Sequence, residues 1–532
     1  MPSDLHLTLY GAILFVPLVL AWRSASKNSN LLPLPPGPRL LPFVGNAFDI
    51  DVSRPWLTYT HWKEKHGDIV YSRVLGQHII IINSIEVARE LLDRRSAIYS
   101  DRPFIQANEE FGTSFNTAYL PYGETLRIHR KLFHQTFGAE ASAEYRDLYF
   151  RRAYELVIDL INVPHKLEKH LELYSGSLII TAIYGYETPP GADGDPLINR
   201  TREATEIAKR VLAPERAALL MAFPFLGHLP SWFPGASDRR LAPYCRKLVR
   251  QMLDEPFEIG KAKMTMTDDG RPPSIVAKFL DAGDTSPAQE EFMKGVAVSG
   301  FVGGTETTAS TLHSFMLAML LHPEVQSRAL AEVNVVCGDN LPSFEHRPSL
   351  PYIEAICREV LRWQPIVPLG WPPCSGYLID LLMLKKGLPH RTSQDDVYQG
   401  YFIPKGSMVL VNEWAISRDE SFYPDASRFD PERHLTAEGK LKDDPLAGHF
   451  AFGYGRRICP GRHFAELSLW AAMVSILSTV RITKAKDLEG NNIPVIPEYT
   501  AGLAMQPKPF ACAITSVNSR REEYMRAAPR AD

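Results

Sequence analysis

Phe452-Gly453-Tyr454-Gly455-Arg456-Arg457-Ile458-Cys459-Pro460-Gly461 lies close to the C-terminus and runs into an apolar helical stretch, His463 to Leu477. Read as F-x-x-G-x-R-x-C-x-G, it is a loop that presents one cysteine at the start of a helix. The positive end of the helix dipole and free backbone N–H groups there favour a charged sulfur over a thiol, and such a thiolate can bind iron. Gly455 permits positive φ, and Gly461 leaves room for a flat group close to the backbone. Arg457 offers a fork of donors suited to a carboxylate, and Phe452 shields the sulfur. The competing reading is a buried structural cysteine, the commonest fate of a lone intracellular Cys. Five fixed residues drawn from this composition recur by chance in about one chain of this length in ten thousand, which favours the ligand.

The loop matches the heme-binding loop of the cytochrome P450 family, the heme-thiolate monooxygenases, at every fixed position, and the chain resembles that family. The resemblance implies that Cys459 is the metal ligand, the axial thiolate that pushes electron density onto heme iron and promotes O–O cleavage. Phe452, Gly455, Arg457 and Gly461 then surround the cofactor.

Length and composition suit one large globular body: 532 residues, 45% hydrophobic and 22% charged, without a long low-complexity linker. The six cysteines are scattered with no C-x-x-C pair, so neither a zinc site nor a disulfide framework is indicated and a reducing compartment fits. A formal charge of -3 gives no reason to expect nucleic acid.

Residues 1–30 read as a separate membrane anchor. Leu5 to Trp22 is an apolar run of 18 residues, near the lower length limit for crossing a bilayer, and Arg23 and Lys27 follow it. Positive charge on that side predicts a single pass with the remainder of the chain in the cytosol. A cleaved signal peptide is the rival reading, but Met-Pro-Ser-Asp lacks the basic segment a signal carries. Residues 31–45, with Leu34-Pro35-Pro36-Gly37-Pro38, read as a stiff extended hinge. The main body is then 46–515, and 516–532 a charged tail.

Within the body, Ile69-Val70-Tyr71 and Ile79 to Ile82 flank Gly76-Gln77 as a short hairpin does. The irregular stretch Phe104 to Tyr119 corresponds, by resemblance, to the loop over the distal pocket. After Pro121-Tyr122-Gly123-Glu124 comes a basic helix with Arg127, His129, Arg130 and Lys131. The family pattern W-x-x-x-R addresses a heme propionate there; this chain keeps Arg130 but has Leu126 in place of Trp, which removes one indole donor. Residues 140–290 read as helices. Phe223 to Pro234 is an apolar, aromatic, proline-broken loop, suited either to buried packing or to dipping into a membrane interface. Asn199-Arg200-Thr201 matches a glycosylation acceptor but faces the cytosol in this topology.

The second chemical signal is Gly303-Gly304-Thr305-Glu306-Thr307-Thr308 inside the apolar run Phe292 to Leu321, which has the length of a long buried helix. Two mid-helix glycines cost about 1 kcal/mol each against alanine, so something needs the space. Either the helix packs tightly on a neighbour or a heme and bound oxygen approach it. Thr307 offers a hydroxyl beside the opening and Glu306 an ionisable group behind it, a pair able to hold water and pass protons. The segment resembles the family's oxygen-activation motif. Third, Glu359 and Arg362 share one face of the helix Tyr352 to Trp363. Alone they read as ordinary surface pairing; by resemblance they are buried and locked to Arg433, in Phe429-Asp430-Pro431-Glu432-Arg433.

The resemblance covers Pro35 to Phe510 and implies a mainly α fold with a minor β-sheet, heme b lying between the Gly303 helix and the Cys459 loop. It implies monooxygenation of a hydrophobic small molecule, either a fungal secondary metabolite such as a terpenoid or polyketide or a foreign polycyclic aromatic. Electrons come from NADPH through a separate flavin-containing reductase, with cytochrome b5 as a second candidate donor, at the endoplasmic reticulum membrane. A secreted peroxygenase and a heme-poor isoform or binding protein are the rival readings. The latter stems from Trp371 to Gly387: relatives run Pro-Leu-Gly, one apolar residue, then Pro-His-Arg, and excising these 17 residues restores that pattern. A natural surface excursion is the alternative, since long loops cost little entropy; the clean rejoining points to a short intron read through in the gene.

Overall fold

The computed structural model describes residues 32–51, 53–104, 106–189, 195–211, 240–264, 273–283, 286–369, 389–443, 450–500 and 504–528. The apolar run 5–22, the aromatic loop 223–234 and the insert 371–387 lie outside them. Helices of nine residues or more are labelled α1 (Pro55–His66), α2 (Glu124–Phe137), α3 (Arg146–Asn162), α4 (Leu167–Tyr184), α5 (Pro196–Val211), α6 (Ala242–Met264), α7 (Pro287–Leu321), α8 (Pro323–Cys337), α9 (Pro351–Trp363), α10 (Arg462–Thr479) and α11 (Ser519–Ala527). The fold is mainly α, with small sheets at the periphery.

Its axis is α7, 35 residues and therefore about 52 Å long. From Thr308 to Leu320 every side chain of α7 is buried, because this stretch carries no charged residue and its polar groups are small hydroxyls and one histidine. α4 and α10 are buried nearly all round as well, and with α3 they complete the core. Small residues let α4 and its neighbours close up. A Cβ on Gly176 would lie 2.6 Å from the Ile198 side chain, and one on Gly300 2.9 Å from Ile183 and Phe133.

The largest sheet has strand order β1-β2-β6-β3, with β1 (Ile69–Val74), β2 (Gln77–Ile82), β3 (His390–Arg391) and β6 (Met408–Val411). The β1–β2 hairpin turns on Leu75 and Gly76, both at positive φ (48° and 87°), as a two-residue hairpin loop requires. β2 pairs with β6 in parallel, Ile79↔Met408 through Ile82↔Val411. Ile79 to Ile82 are all fully buried because both faces are covered: Ile80 and Ile82 belong to a cluster with Val409 and Phe450, Ile79 and Ile81 to one with Trp56, Trp62 and Leu410. β4 (Asp396–Tyr398) with β5 (Tyr401–Ile403), and β7 (Val480–Lys484) with β8 (Cys512–Ser516), form two further hairpins.

Two flanking segments pack against the body. The proline-rich hinge is docked: the Pro36 carbonyl accepts from Tyr71 N at 2.8 Å, the Pro33 carbonyl from Phe402 N at 2.8 Å, and a Cβ on Gly37 would sit 1.9 Å from the Tyr71 oxygen. The charged tail folds back as α11. Its Arg521 is 0% exposed and donates to the carbonyls of Ser478 (2.7 Å), Asn340 (3.1 Å) and Gly338, while Met525 joins the main core. A buried guanidinium satisfied by carbonyls is what allows so polar a helix to seat.

Candidate active site

The Cys459 loop is shaped by glycine. Gly455 has φ 53°, and a Cβ there would lie 2.0 Å from the Leu92 oxygen, so no other residue fits without moving backbone. Its N–H donates to Asp93 Oδ1 at 2.6 Å. Cys459 N donates to the Phe452 carbonyl at 2.8 Å, and Gly461 begins α10, its carbonyl accepting from Ala465 N at 2.9 Å. Cys459 is a free thiol. One expectation is corrected here. Burial pushes the Cys459 thiol up, and this outweighs the Gly461 N–H and the charges of Arg130 and Arg462, so the helix start alone does not make a thiolate. A bound metal is what deprotonates such a sulfur.

Cys459 faces a cavity of about 360 Å³, walled by the loop, α2, α4, α7 and the segment after α9. Phe452, Gly461, Arg457, Arg130, Gly303, Gly304 and Thr307 all line it; Leu126, where the family has Trp, lines it as an apolar side chain. Glu306 does not line it. The adjacent glycines Gly303 and Gly304 of α7 have different surroundings. A Cβ on Gly304 would lie 2.7 Å from Ile179 of α4, whereas one on Gly303 would meet nothing within 4 Å. Gly304 thus serves helix packing and Gly303 leaves the cavity open. The Thr307 hydroxyl donates to the Gly303 carbonyl at 2.8 Å, which holds its oxygen beside that opening.

Positive groups gather at one side of the cavity. Arg457 donates to the carbonyls of Ser100 (2.8 Å) and Leu120 (2.7 Å), and its Nη1 is buried with no hydrogen-bond partner. Arg130 donates to the Ile458 carbonyl at 2.8 Å, and Arg102 to that of Ala118 at 3.2 Å. His390, whose Nδ1 donates to the Tyr99 carbonyl at 2.7 Å, stands beside them as a neutral imidazole. Burial lowers all four: Arg102 to about 9 and His390 to about 3, both helped by neighbouring cations, Arg457 to about 10, and Arg130 to a smaller degree. Guanidinium groups remain charged, so these shifts express buried cations whose lost hydration the Asp101 carboxylate only partly replaces. Two carboxylates of a flat cofactor would replace the rest.

Away from the cavity, Glu359 (0% exposed) holds Arg362 (1% exposed) through two bonds of 2.7 and 2.8 Å. Arg433 Nε is 3.1 Å from the same carboxylate, His434 Nε2 3.0 Å, and Asp430 N 2.8 Å. Arg362 also donates to the carbonyls of Ser417, Ala426 and Arg428. Burial raises the Glu359 carboxyl, yet the bonds from Arg362 and His434 outweigh it and hold it at about 2.

Sequence reading missed Arg102, His390, His434 and Glu413. His390 was visible only as part of a matching Pro-His-Arg, and Arg102 sits in Asp-Arg-Pro with no periodicity around it. Glu413 had no signal. It lines the cavity, and burial pushes it up to about 8 although the Tyr454 hydroxyl donates to it at 3.2 Å.

Comparison with known proteins agrees with this geometry. The family described as Cytochrome P450 matches residues 35–375 and 381–513. Cytochrome P450 monooxygenase claR of Ampulloclitocybe clavipes is 36% identical, covering 93% of this chain and 88% of its own. Cytochrome P450 monooxygenase ple1 of Rhodocybe pseudopiperita is 34% identical over 99% and 98%. Tryptamine 4-monooxygenase of Psilocybe cyanescens is 34% identical over 94% and 97%. A zebra fish cytochrome P450 solved with abiraterone has the same fold, with a TM-score of 0.66 over 87% of this chain and 99% of that one at 21% identity. A free cysteine on a glycine-shaped loop, a cavity edged by buried cations and relatives aligned over nearly their whole length lead to one conclusion: the chain belongs to the cytochrome P450 family, whose fold implies heme, and is an oxidoreductase of the monooxygenase type.

Proposed function

We propose that this protein inserts one oxygen atom of O₂ into an apolar small molecule, the other atom leaving as water, with electrons from NADPH delivered by a separate reductase or cytochrome b5. The observation that carries this is the convergence of Cys459, the cationic edge, the opening at Gly303 and the Thr307 hydroxyl on one cavity. Heme b bound there would supply the oxygen chemistry. Cys459 would hold it, Phe452 would cover the sulfur, and Arg130, Arg457 and Arg102, with His390 beside them, would hold its carboxylates. Thr307, anchored on the Gly303 carbonyl, keeps a hydroxyl where it can orient water and hand on a proton; Glu306 stands in the same turn, outside the cavity. Phe133, Leu178 and Ile179 give the cavity apolar lining that excludes bulk water and suits an aromatic, terpenoid or polyketide guest. The test is the carbon monoxide difference spectrum of the reduced protein. A thiolate-type spectrum is expected, and its loss in Cys459→Ser; a variant that retains it overturns the reading.

Anchoring in the endoplasmic reticulum membrane, with the catalytic body in the cytosol, belongs to the same proposal. Among the described residues no helix is long and apolar enough to cross a membrane. Support comes from the sequence of residues 5–22 and from Leu32, Leu34, Leu41, Phe43 and Phe48, large apolar side chains left exposed close behind it. Removal of residues 1–30 is expected to shift the protein toward the soluble fraction.

One observation favours a second reading, in which this form loads heme poorly. The family match skips only 376–380, five residues inside the insert 371–387. The flanks are fastened to one segment: Trp414 N donates to the Pro368 carbonyl at 3.1 Å, and His390 pairs with Val409. A short connection therefore suffices between them. Expressing the chain with and without 371–387 decides; equal heme content and turnover would refute a disabling insert.

A further inference from the structure

Resting on the cavity being the oxidation site, we propose that Thr117 is a positioning residue: it clasps the loop roofing the cavity to the helices on either side, and this clasp sets how long an apolar guest is retained. Asn116, Thr117 and Ala118 line the cavity from the loop between Gly112 and Leu120. Thr117 is bonded in two directions. Its backbone N–H donates to Ser299 Oγ of α7 at 3.1 Å, and its hydroxyl lies 2.7 Å from His129 Nδ1 of α2. Both partners are themselves fixed. Ser299 donates to the Gly295 carbonyl at 2.7 Å; His129 is 2% exposed and meets the edge of Phe292 at 4.8 Å between ring centres. Gly295 lets the loop sit down, because a Cβ there would come within 3.2 Å of Phe115.

The far edge of the loop is held differently, by cations that also line the cavity: Arg102 bonds the Ala118 carbonyl and Arg457 the Leu120 carbonyl. Thr117 is thus where the loop is joined to α2 and α7 by side-chain hydrogen bonds, while residues 118–120 are tied to the cofactor edge. Losing the Thr117 hydroxyl leaves His129 Nδ1 without this partner in a buried position and frees the loop to lift about residues 118–120. Burial pulls His129 down to about 4, so the imidazole is neutral and the clasp is insensitive to pH from 6 to 8, as the proposal requires of a fixed strut.

The experiment follows phenylimidazole binding to the heme-loaded protein by stopped-flow absorbance. Thr117→Val keeps the shape and removes the hydroxyl. Its carbon monoxide spectrum is expected to match wild type while phenylimidazole dissociates about tenfold faster, and Thr117→Ser is expected to restore the rate to within about twofold. Ser299→Ala is expected to speed dissociation in the same direction. Unchanged dissociation in both Thr117→Val and Ser299→Ala overturns the proposal. Should Thr117→Val fail to load heme, Ser299→Ala and the Thr117→Ser rescue carry the test alone. A wild-type protein without a thiolate-type spectrum would overturn the functional reading instead. The clasp is then decided by amide hydrogen exchange over residues 112–120, which Thr117→Val must accelerate for the proposal to stand.

Discussion

Two groups of buried charge in this molecule are completed in different ways. Around Glu359 each partner is protein: three side chains and a backbone N–H surround one carboxylate, and the carboxyl is held at about 2. At the cavity edge three guanidiniums and a histidine crowd together, bonded to carbonyl oxygens, and each is shifted in the sense that disfavours positive charge. The first group is finished by folding and has a structural role. The second keeps cations in excess over the Asp101 carboxylate and leaves Arg457 Nη1 buried without a hydrogen-bond partner, so it can still take up an anion from outside, which is how a binding edge differs from a strut built of the same residue types.

The largest expected effect breaks the closed group. Glu359→Ala strands Arg362 and Arg433 without their counter-charge, at about 3–5 kcal/mol, a large part of a typical stability; the protein is expected to be recovered heme-free or aggregated, and a melting midpoint near wild type would undo the contrast. Next is pH. The Glu359 carboxyl lies below its ordinary 4.5, so the folded protein binds fewer protons than the unfolded chain between those values. Stability is then fully present above pH 4.5 and falls as pH drops toward 2, by on the order of 3 kcal/mol for this group. Urea unfolding between pH 5 and 3 measures the slope, which Glu359→Gln should flatten.

The open group gives the third test. Arg457→Gln keeps hydrogen-bond donors but removes charge, and heme affinity is expected to fall about tenfold or more with little change in apoprotein melting. A variant that loses apoprotein stability but binds heme normally would make this group a strut as well. The smallest effect separates the adjacent glycines Gly303 and Gly304 of α7. Gly304→Ala presses on Ile179 and is expected to destabilise by about 1 kcal/mol once its gain in helix propensity is subtracted. Gly303→Ala meets nothing and is expected to stabilise the apoprotein by up to about 1 kcal/mol while intruding on the cavity. Thermal melts of both variants suffice.

How much could be read beforehand follows from the same physics. The Cys459 loop was legible because its residues are fixed in sequence spacing, and α7 and α10 because a long apolar run has few other fates. Glu359 and Arg362 are a common pair whose burial depends on Arg433, 71 residues beyond Arg362 and brought there by tertiary folding, so only the family pattern pointed to it. His434, beside it, carried no mark. The helix dipole argument for Cys459 was sound in sign but omitted desolvation, which depends on neighbours no local window contains. Gly303 and Gly304 look identical in sequence; only the position of Ile179 tells them apart. The C-terminal helix was hidden by its polarity, since the carbonyls that satisfy Arg521 come from two distant segments.

The parallel pairing of β2 with β6 bears on how the chain is made. Ile79 waits for Met408, 329 residues later. At about 5–20 residues per second, translation leaves that strand without its partner for roughly 15–65 s, and a two-stranded hairpin is marginal alone. Four adjacent isoleucines are meanwhile available to any other sticky surface, which makes the growing chain a client for chaperones. The cysteine loop emerges later still. Heme can be captured only by a nearly complete polypeptide, so the yield of loaded protein should respond to the rate of synthesis as well as to the supply of heme.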